Sequence, residues 1–160
     1  MIGRPARTAE AGMSLVELMV VIVIAATLLA LAVPVVRDDD SLNAAVREIA
    51  NDAVTTRSRA TTRWESVTFD VDPGAGAWRT LLADGTPIVD DNTDANGWRY
   101  LSDIGFDMLL QGVSGAQTDA VFLADGRVDQ EAAIRVRKGD DAWEIRFHEL
   151  SGRVTAVRLP

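Results

Sequence analysis

Residues 12–36 read Gly-Met-Ser-Leu-Val-Glu-Leu-Met-Val-Val-Ile-Val-Ile-Ala-Ala-Thr-Leu-Leu-Ala-Leu-Ala-Val-Pro-Val-Val, and the nineteen residues from Leu18 to Val36 carry no charge. As a helix rising about 1.5 Å per residue, that run spans roughly 28 Å, close to the hydrocarbon thickness of a bilayer. One acid, Glu17, sits at its amino-terminal edge, and a short polar segment, Met1 to Ala11, precedes it with Arg4 and Arg7. A secretory signal has a shorter apolar core and a small-x-small cleavage site after it. Here the plausible processing site, Gly12, comes before the apolar run, so the hydrophobic segment is expected to stay on the mature protein.

Glycine, then a hydrophobic run with glutamate at its fifth position, resembles the class III signal of type IV pilins and type II secretion pseudopilins. The resemblance implies cleavage between Gly12 and Met13 by a prepilin peptidase and N-methylation of Met13, with Glu17 becoming the fifth residue of the mature chain. Met13 departs from the family's usual phenylalanine, whereas Pro34 stands where many members have a helix-bending proline. The physics of the stretch agrees. A carboxylate at the edge of an apolar helix is costly in lipid and is by default a functional candidate. In a helical filament a freshly cut terminal amine on a neighbouring subunit would pair with Glu17, and a wrong stagger would leave a buried charge unpaired. The alternative is a plain signal anchor whose Glu17 lies among the lipid headgroups.

The chain has 160 residues, enough for one membrane helix and one small domain. Its net charge is −8; the charges of residues 1–12 and 13–36 cancel, so residues 37–160 carry the whole of it. An acidic soluble part argues against sequence-independent nucleic-acid binding, which relies on Lys and Arg against phosphates. Arginines before the apolar run and Asp38, Asp39 and Asp40 after it fit an amino terminus in the cytoplasm and a carboxy-terminal domain in the periplasm. With no cysteine, thiol catalysis, Cys-based metal sites and the disulfide loop of many major pilins are excluded.

After Pro34 the pattern turns amphipathic. Leu42, Ala45, Val46, Ile49, Ala50, Ala53 and Val54 recur at helical spacing, with Arg47, Glu48, Asn51 and Arg57 mostly opposite. The reading is one helix from about Met13 to Arg63, bent near Pro34, whose Ala-rich stripe invites close approach of a sheet. Alternating segments then predict strands at 66–71, 77–82, 98–101, 120–123, 133–136, 143–147 and 153–159, with turns at 72–76, 84–85, 124–127, 139–141 and 151–152. Residues 98–119 give no clear pattern beyond the short strand. The expected fold is α+β: a long amino-terminal helix, transmembrane in its first half, packed on a small antiparallel β-sheet domain. The parts are a leader (1–12), a transmembrane segment (13–36), an amphipathic continuation (37–63) and a periplasmic β domain (64–160).

Phe-Leu-Ala-Asp-Gly-Arg at 122–127, Ile-Arg-Val at 134–136 and Ser-Gly-Arg-Val at 151–154 look like the H class of type II secretion pseudopilins. FimT-type minor pilins share that layout. The resemblance implies a structural minor pseudopilin of a type II secretion system, held in the inner membrane and assembled into a periplasmic pseudopilus that drives protein export. Its partners would be other pseudopilins, the prepilin peptidase, the inner-membrane assembly platform and membrane lipid. The other reading is a FimT-like minor pilin of a type IV pilus, serving assembly or DNA uptake.

Chemistry-bearing constellations are few. Asn92-Thr-Asp94-Ala-Asn96-Gly97 with Asp103 resembles a calcium loop in spacing, yet Asn replaces the first Asp and Asp103 is shorter than the usual Glu. A polar surface loop is the plainer reading. His148 is the only histidine and sits on the face opposite Trp143, Ile145 and Phe147, facing solvent. Trp64, Trp78, Trp98 and Trp143 read as core or sheet-face residues. Arg57, Arg59 and Arg63, and again Arg135, Arg137 and Lys138, form basic clusters that read as solvated faces paired with acids. No catalytic set, metal or cofactor is expected; an enzyme on a signal anchor would need a polar pocket of perturbed groups.

Overall fold

The structure, a computed structural model, describes the backbone of residues 15–32, 38–105 and 107–160, with side chains described at 15–25, 41–105 and 107–160. The chain divides into two compact units, Met1–Arg37 and Asp38–Pro160. In the first, helix α1 (Leu15–Ala32) carries Glu17 in its first turn. In the second, helix α2 (Asp38–Arg63) is followed by strands β1 (Val67–Asp72), β2 (Ala77–Leu81), β3 (Arg99–Tyr100), β4 (Met108–Gly112), β5 (Ala120–Phe122), β6 (Ala132–Lys138), β7 (Asp141–Phe147) and β8 (Val154–Arg158). Helix, then antiparallel strands packed on it, is the expected α+β order. Pro34, the expected bend, lies outside the described residues.

The strands form two sheets where the sequence pattern suggested one, ordered β3-β2-β1-β5 and β4-β6-β7-β8. Every pairing between them is antiparallel. The Ala-Asp-Gly-Arg turn does fold back, with Gly126 N–H donating to Leu123 O at 2.8 Å. However, β5 pairs with β1 while β6 pairs with β4 and β7, so the segment around this turn carries the chain from one sheet to the other. Alternation in sequence fixes which face a strand buries and says nothing about which strand it joins.

One stripe of α2 serves both sheets. Leu42, Ala45, Val46, Ile49, Ala53, Thr56 and Ala60 are buried, at steps of three and four residues. Alanines at 45, 53 and 60 let the sheets approach the helix axis. Thr56, fully buried, is satisfied twice, donating to Asp52 O at 2.8 Å and sharing a 2.9 Å hydrogen bond with Thr80 of β2. Across the core Phe147 lies 5.7 Å from Phe69 and 6.2 Å from Phe122, joining the second sheet to the first. Val54, expected on the buried stripe, is instead exposed.

Two features close the carboxy-terminal end of α2. Arg57 donates from Nε to Gly126 O at 2.9 Å and from Nη2 to Ser151 O at 3.0 Å, tying the helix to the turn after β5 and the turn after β7. Those turns touch each other: a Cβ on Gly152 (φ +61°) would lie 1.7 Å from Gly126 O. Beyond Arg63, Trp64 takes φ 56° and Glu65 N–H donates to Ala60 O at 3.3 Å, the six-to-one closure of a helix end in which glycine usually occupies Trp64's place. Trp64 is 80% exposed, contrary to the core or sheet-face position expected of it.

Gly152→Ala is expected to destabilise the domain by about 3 kcal/mol, because backbone must move as well as strain. Gly139→Ala, with φ +58° and open space around it, should cost only about 1 kcal/mol. Trp64→Gly should instead raise stability by about 1 kcal/mol by relieving the left-handed conformation. Urea unfolding of the three variants checks the order.

Candidate assembly surfaces

Gly12, Met13 and Pro34 lie outside the described residues, so the structure positions only Glu17 of the expected site residues. Glu17 occupies the first turn of α1, where the positive end of the helix dipole favours a carboxylate. Around it Leu15, Val16, Leu18, Met19, Val20, Val21, Ile22, Val23 and Ile24 are all at least half exposed. An apolar surface this continuous marks a contact with lipid or another chain. Among the described residues no helix is long and apolar enough to cross a membrane.

On the second unit a polar loop is fastened to α2 by Arg99. Its guanidinium lies 3.4 Å from Glu48, 3.1 Å from Asp52 and 2.9 Å from Asp90. Asp52 also accepts the Trp78 indole N–H at 2.8 Å, so a single helix carboxylate anchors both β2 and β3. Arg79 bonds Asp70 at 2.6 Å and lies 4.1 Å above the Trp98 ring centroid, a cation–π contact.

Of the residues read as a calcium-like loop, Asp94 is spent on this construction. Asp94 accepts N–H groups from Asn96 at 2.8 Å and Trp98 at 2.9 Å, and the Tyr100 hydroxyl at 3.1 Å. The Trp98 N–H is the chief cause holding the Asp94 carboxyl below its ordinary value, and the same bond from Tyr100 pushes the phenol up. At Asp90, desolvation pushes the carboxyl up, but the Asn92 N–H and Arg99 outweigh it and the net direction is down. Among the described residues no group of three or more His, Cys, Asp or Glu is placed to hold a metal. Glu48, Asp91, Asp94 and Asp103 line an acidic concavity of about 600 Å³ beside this loop.

The outer face of the second sheet bears Leu109, Gln111, Arg135, Arg137, Glu144, Arg146, Thr155 and Val157 by strand register. Arg146 reaches Glu144 at 2.6 Å and Glu131 at 3.2 Å, and Arg135 reaches Glu144 at 3.2 Å. The Arg146 hydrogen bond is the main cause lowering the Glu144 carboxyl, with desolvation opposing it. Arg135 Nε is buried with no acceptor among the described residues. His148 is half-buried, its Nε2 2.9 Å from Thr155 Oγ1, on the face expected from the alternation.

Neither basic cluster is kept whole, and only Arg135 and Arg137 of the second stay together on one face. Arg57 is held by the Gly126 and Ser151 carbonyls and Arg63 faces Glu65, while Lys138 reaches Ser41 of α2 on the opposite side of the sheet from Arg135 and Arg137. Sequence reasoning missed Asp52 and Arg99, which organise the loop. Neither stands out locally, because the two bond each other across 47 positions of sequence.

The prokaryotic N-terminal methylation motif matches residues 7–33. Among curated proteins none matches the chain. Among solved structures, the minor pseudopilin EpsH from the type 2 secretion system of Vibrio cholerae matches with a TM-score of 0.56 at 13% identity, over 74% of this chain and 97% of that one. A second EpsH structure gives 0.52 at 14% identity, over 74% and 94%. The type IV minor pilin FimU of Pseudomonas aeruginosa gives 0.52 at 13% identity, over 77% and 91%. The chain thus joins an N-terminal methylation motif to a pilin-like fold. Its second unit has the helix-and-sheet fold found in a minor pseudopilin and in a minor pilin alike.

Because folding lowers the Glu144 carboxyl below its ordinary value, its contribution to stability is full above the unfolded value and is lost as pH falls through the folded one. Glu144→Gln should lower stability at pH 7 by about 1–2 kcal/mol and flatten the acid limb of the stability–pH curve. Urea unfolding between pH 3 and 7 measures both.

Proposed function

We propose that the chain is a minor pseudopilin of a type II secretion system, of the H type. One observation carries the reading: a methylation motif at residues 7–33 runs into a helix with exposed apolar side chains and an acid in its first turn. The fold shared with EpsH supports it. In this account residues 1–12 are a leader removed by the prepilin peptidase between Gly12 and Met13, and Met13 is N-methylated. Residues 13–36 then span the inner membrane, with the amino terminus cytoplasmic and the domain periplasmic.

During assembly α1 leaves lipid for a filament of helices, and Glu17 pairs with the terminal amine of a neighbouring subunit. A subunit in the wrong stagger leaves that carboxylate buried and unpaired, a penalty of several kcal/mol that fixes axial register. Pro34 lets the helix bend between filament core and domain. The chain does no chemistry of its own: it is a substrate of the peptidase and a structural partner of other pseudopilins and of the inner-membrane assembly platform. The periplasmic filament so formed drives folded proteins outward.

Intact mass of the amino terminus, from membranes with and without the prepilin peptidase, tests the processing. Peptidase-dependent loss of residues 1–12 with one added methyl group on Met13 is expected; a chain still beginning at Met1 would sink the reading. Glu17→Gln should be cut and methylated normally yet fail to enter filaments. Deletion of the gene should abolish secretion and leave pili intact, whereas lost piliation with normal secretion would assign the subunit to a pilus.

A further inference from the structure

The outer face of the second sheet is an unpartnered surface with a charge balance opposite to that of the chain. Between them its strands present three guanidiniums, Arg135, Arg137 and Arg146, against Glu144, with Glu131 at the margin. The chain as a whole is at −8. Among the described residues no carboxylate lies beside Arg137; its Nη2 donates to Gly139 O at 3.3 Å. Leu109 at one edge and Val157 at the other are 59% and 58% exposed. Aliphatic margins around a guanidinium row are the composition of a contact surface.

The same chain holds a complement. The concavity lined by Glu48, Asp91, Asp94 and Asp103 contains one cation, Arg99, and that one is already held by Glu48, Asp52 and Asp90. Asp91 and Asp103 are exposed on its wall, beside exposed Asn92. The sheet face and the concavity share no residue.

We propose that the outer face of the second sheet docks a second copy of this chain through that copy's acidic concavity, Arg137 and Arg146 meeting Asp91 and Asp103. This rests on the subunit reading given above and names the surface it uses. Two like sheet faces would set guanidinium against guanidinium, so a two-fold pairing through this face is disfavoured. The complementary pairing is heterologous, which leaves one free copy of each surface after every addition and generates an open polymer. Charge complementarity of this kind selects the partner and its orientation and weakens with salt.

The chain has no cysteine, so introduced thiols report uniquely. Two differently tagged full-length copies, one carrying Leu109→Cys and the other Asn92→Cys, are co-expressed and treated in membranes with a bismaleimide. A cross-linked heterodimer is expected. It should fall roughly tenfold with Arg137→Glu in the first copy, recover when Asp91→Lys and Asp103→Lys are placed in the second, and decline as salt is raised. Recovery by the reciprocal reversal also rules out misfolding as the cause of the loss. No cross-link, or one indifferent to Arg137→Glu and to salt, overturns the proposal. A Val20→Cys pair in α1 separates the two levels: linkage there with none between 109 and 92 removes the sheet-face contact alone. Silence at both removes contact between copies altogether, while the subunit reading stands or falls on the peptidase-dependent loss of residues 1–12.

Discussion

The stripe of α2 from Leu42 to Ala60 supplies the surface on which both sheets close, and the rest of the domain follows from keeping that surface narrow. Three of its buried positions are alanine, with Ile49 the largest side chain at the centre. A broader residue at Ala53 or Ala60 would push one sheet away and open a void beneath the other, since interiors tolerate neither overpacking nor cavities. Close approach also explains the buried polar pair. Thr56 and Thr80 meet where helix and sheet are too close for two large apolar groups, and each hydroxyl supplies the other's partner.

The helix is tied to the strands in two different ways. At the carboxy-terminal end Arg57 reaches two main-chain carbonyls, so its contribution is geometric as much as electrostatic: it fixes turns from different sheets against one another. Near the middle Arg99 gathers three carboxylates and secures a loop with little apolar burial of its own. That loop is held by Asx-type turns at Asp90 and Asp94 and by the indole and guanidinium stacked over it. Polar contacts therefore do here what a hydrophobic anchor does elsewhere, which explains why Asp90 and Asp94 are occupied inward.

How much of this was legible in the sequence follows from the range of each signal. Helix α2 and most strands rest on periodicity within a few residues, and they appear within one or two residues of the expected bounds. Strand β4 was not legible, because Met-Leu-Leu-Gln-Gly places apolar side chains on both faces and Leu109 points outward. The division into two sheets was not legible either, since strand partners are set by packing on α2. Among side chains, Arg57 read as a solvated cation, although its acceptors lie 69 and 94 positions away in backbone carbonyls that have no sequence signature. Trp64 read as core because aromatic residues usually are; its place one residue past a helix end overrides that expectation.

The relation to EpsH and FimU at 13% identity shows what the fold asks of its residues. A narrow apolar helix stripe and alternating strands can be satisfied by many sequences, since cores require volume and pattern more than particular side chains. Positions facing outward are under no such packing constraint and are free to diverge. Likeness of fold therefore says little about choice of partner. The apolar surface of α1 with Glu17 suits any assembly of helices that can neutralise one carboxylate at a set height. In the proposed assembly, selectivity among subunits of one fold comes from the domain's outer charges, a guanidinium row and an acidic hollow that share no residue.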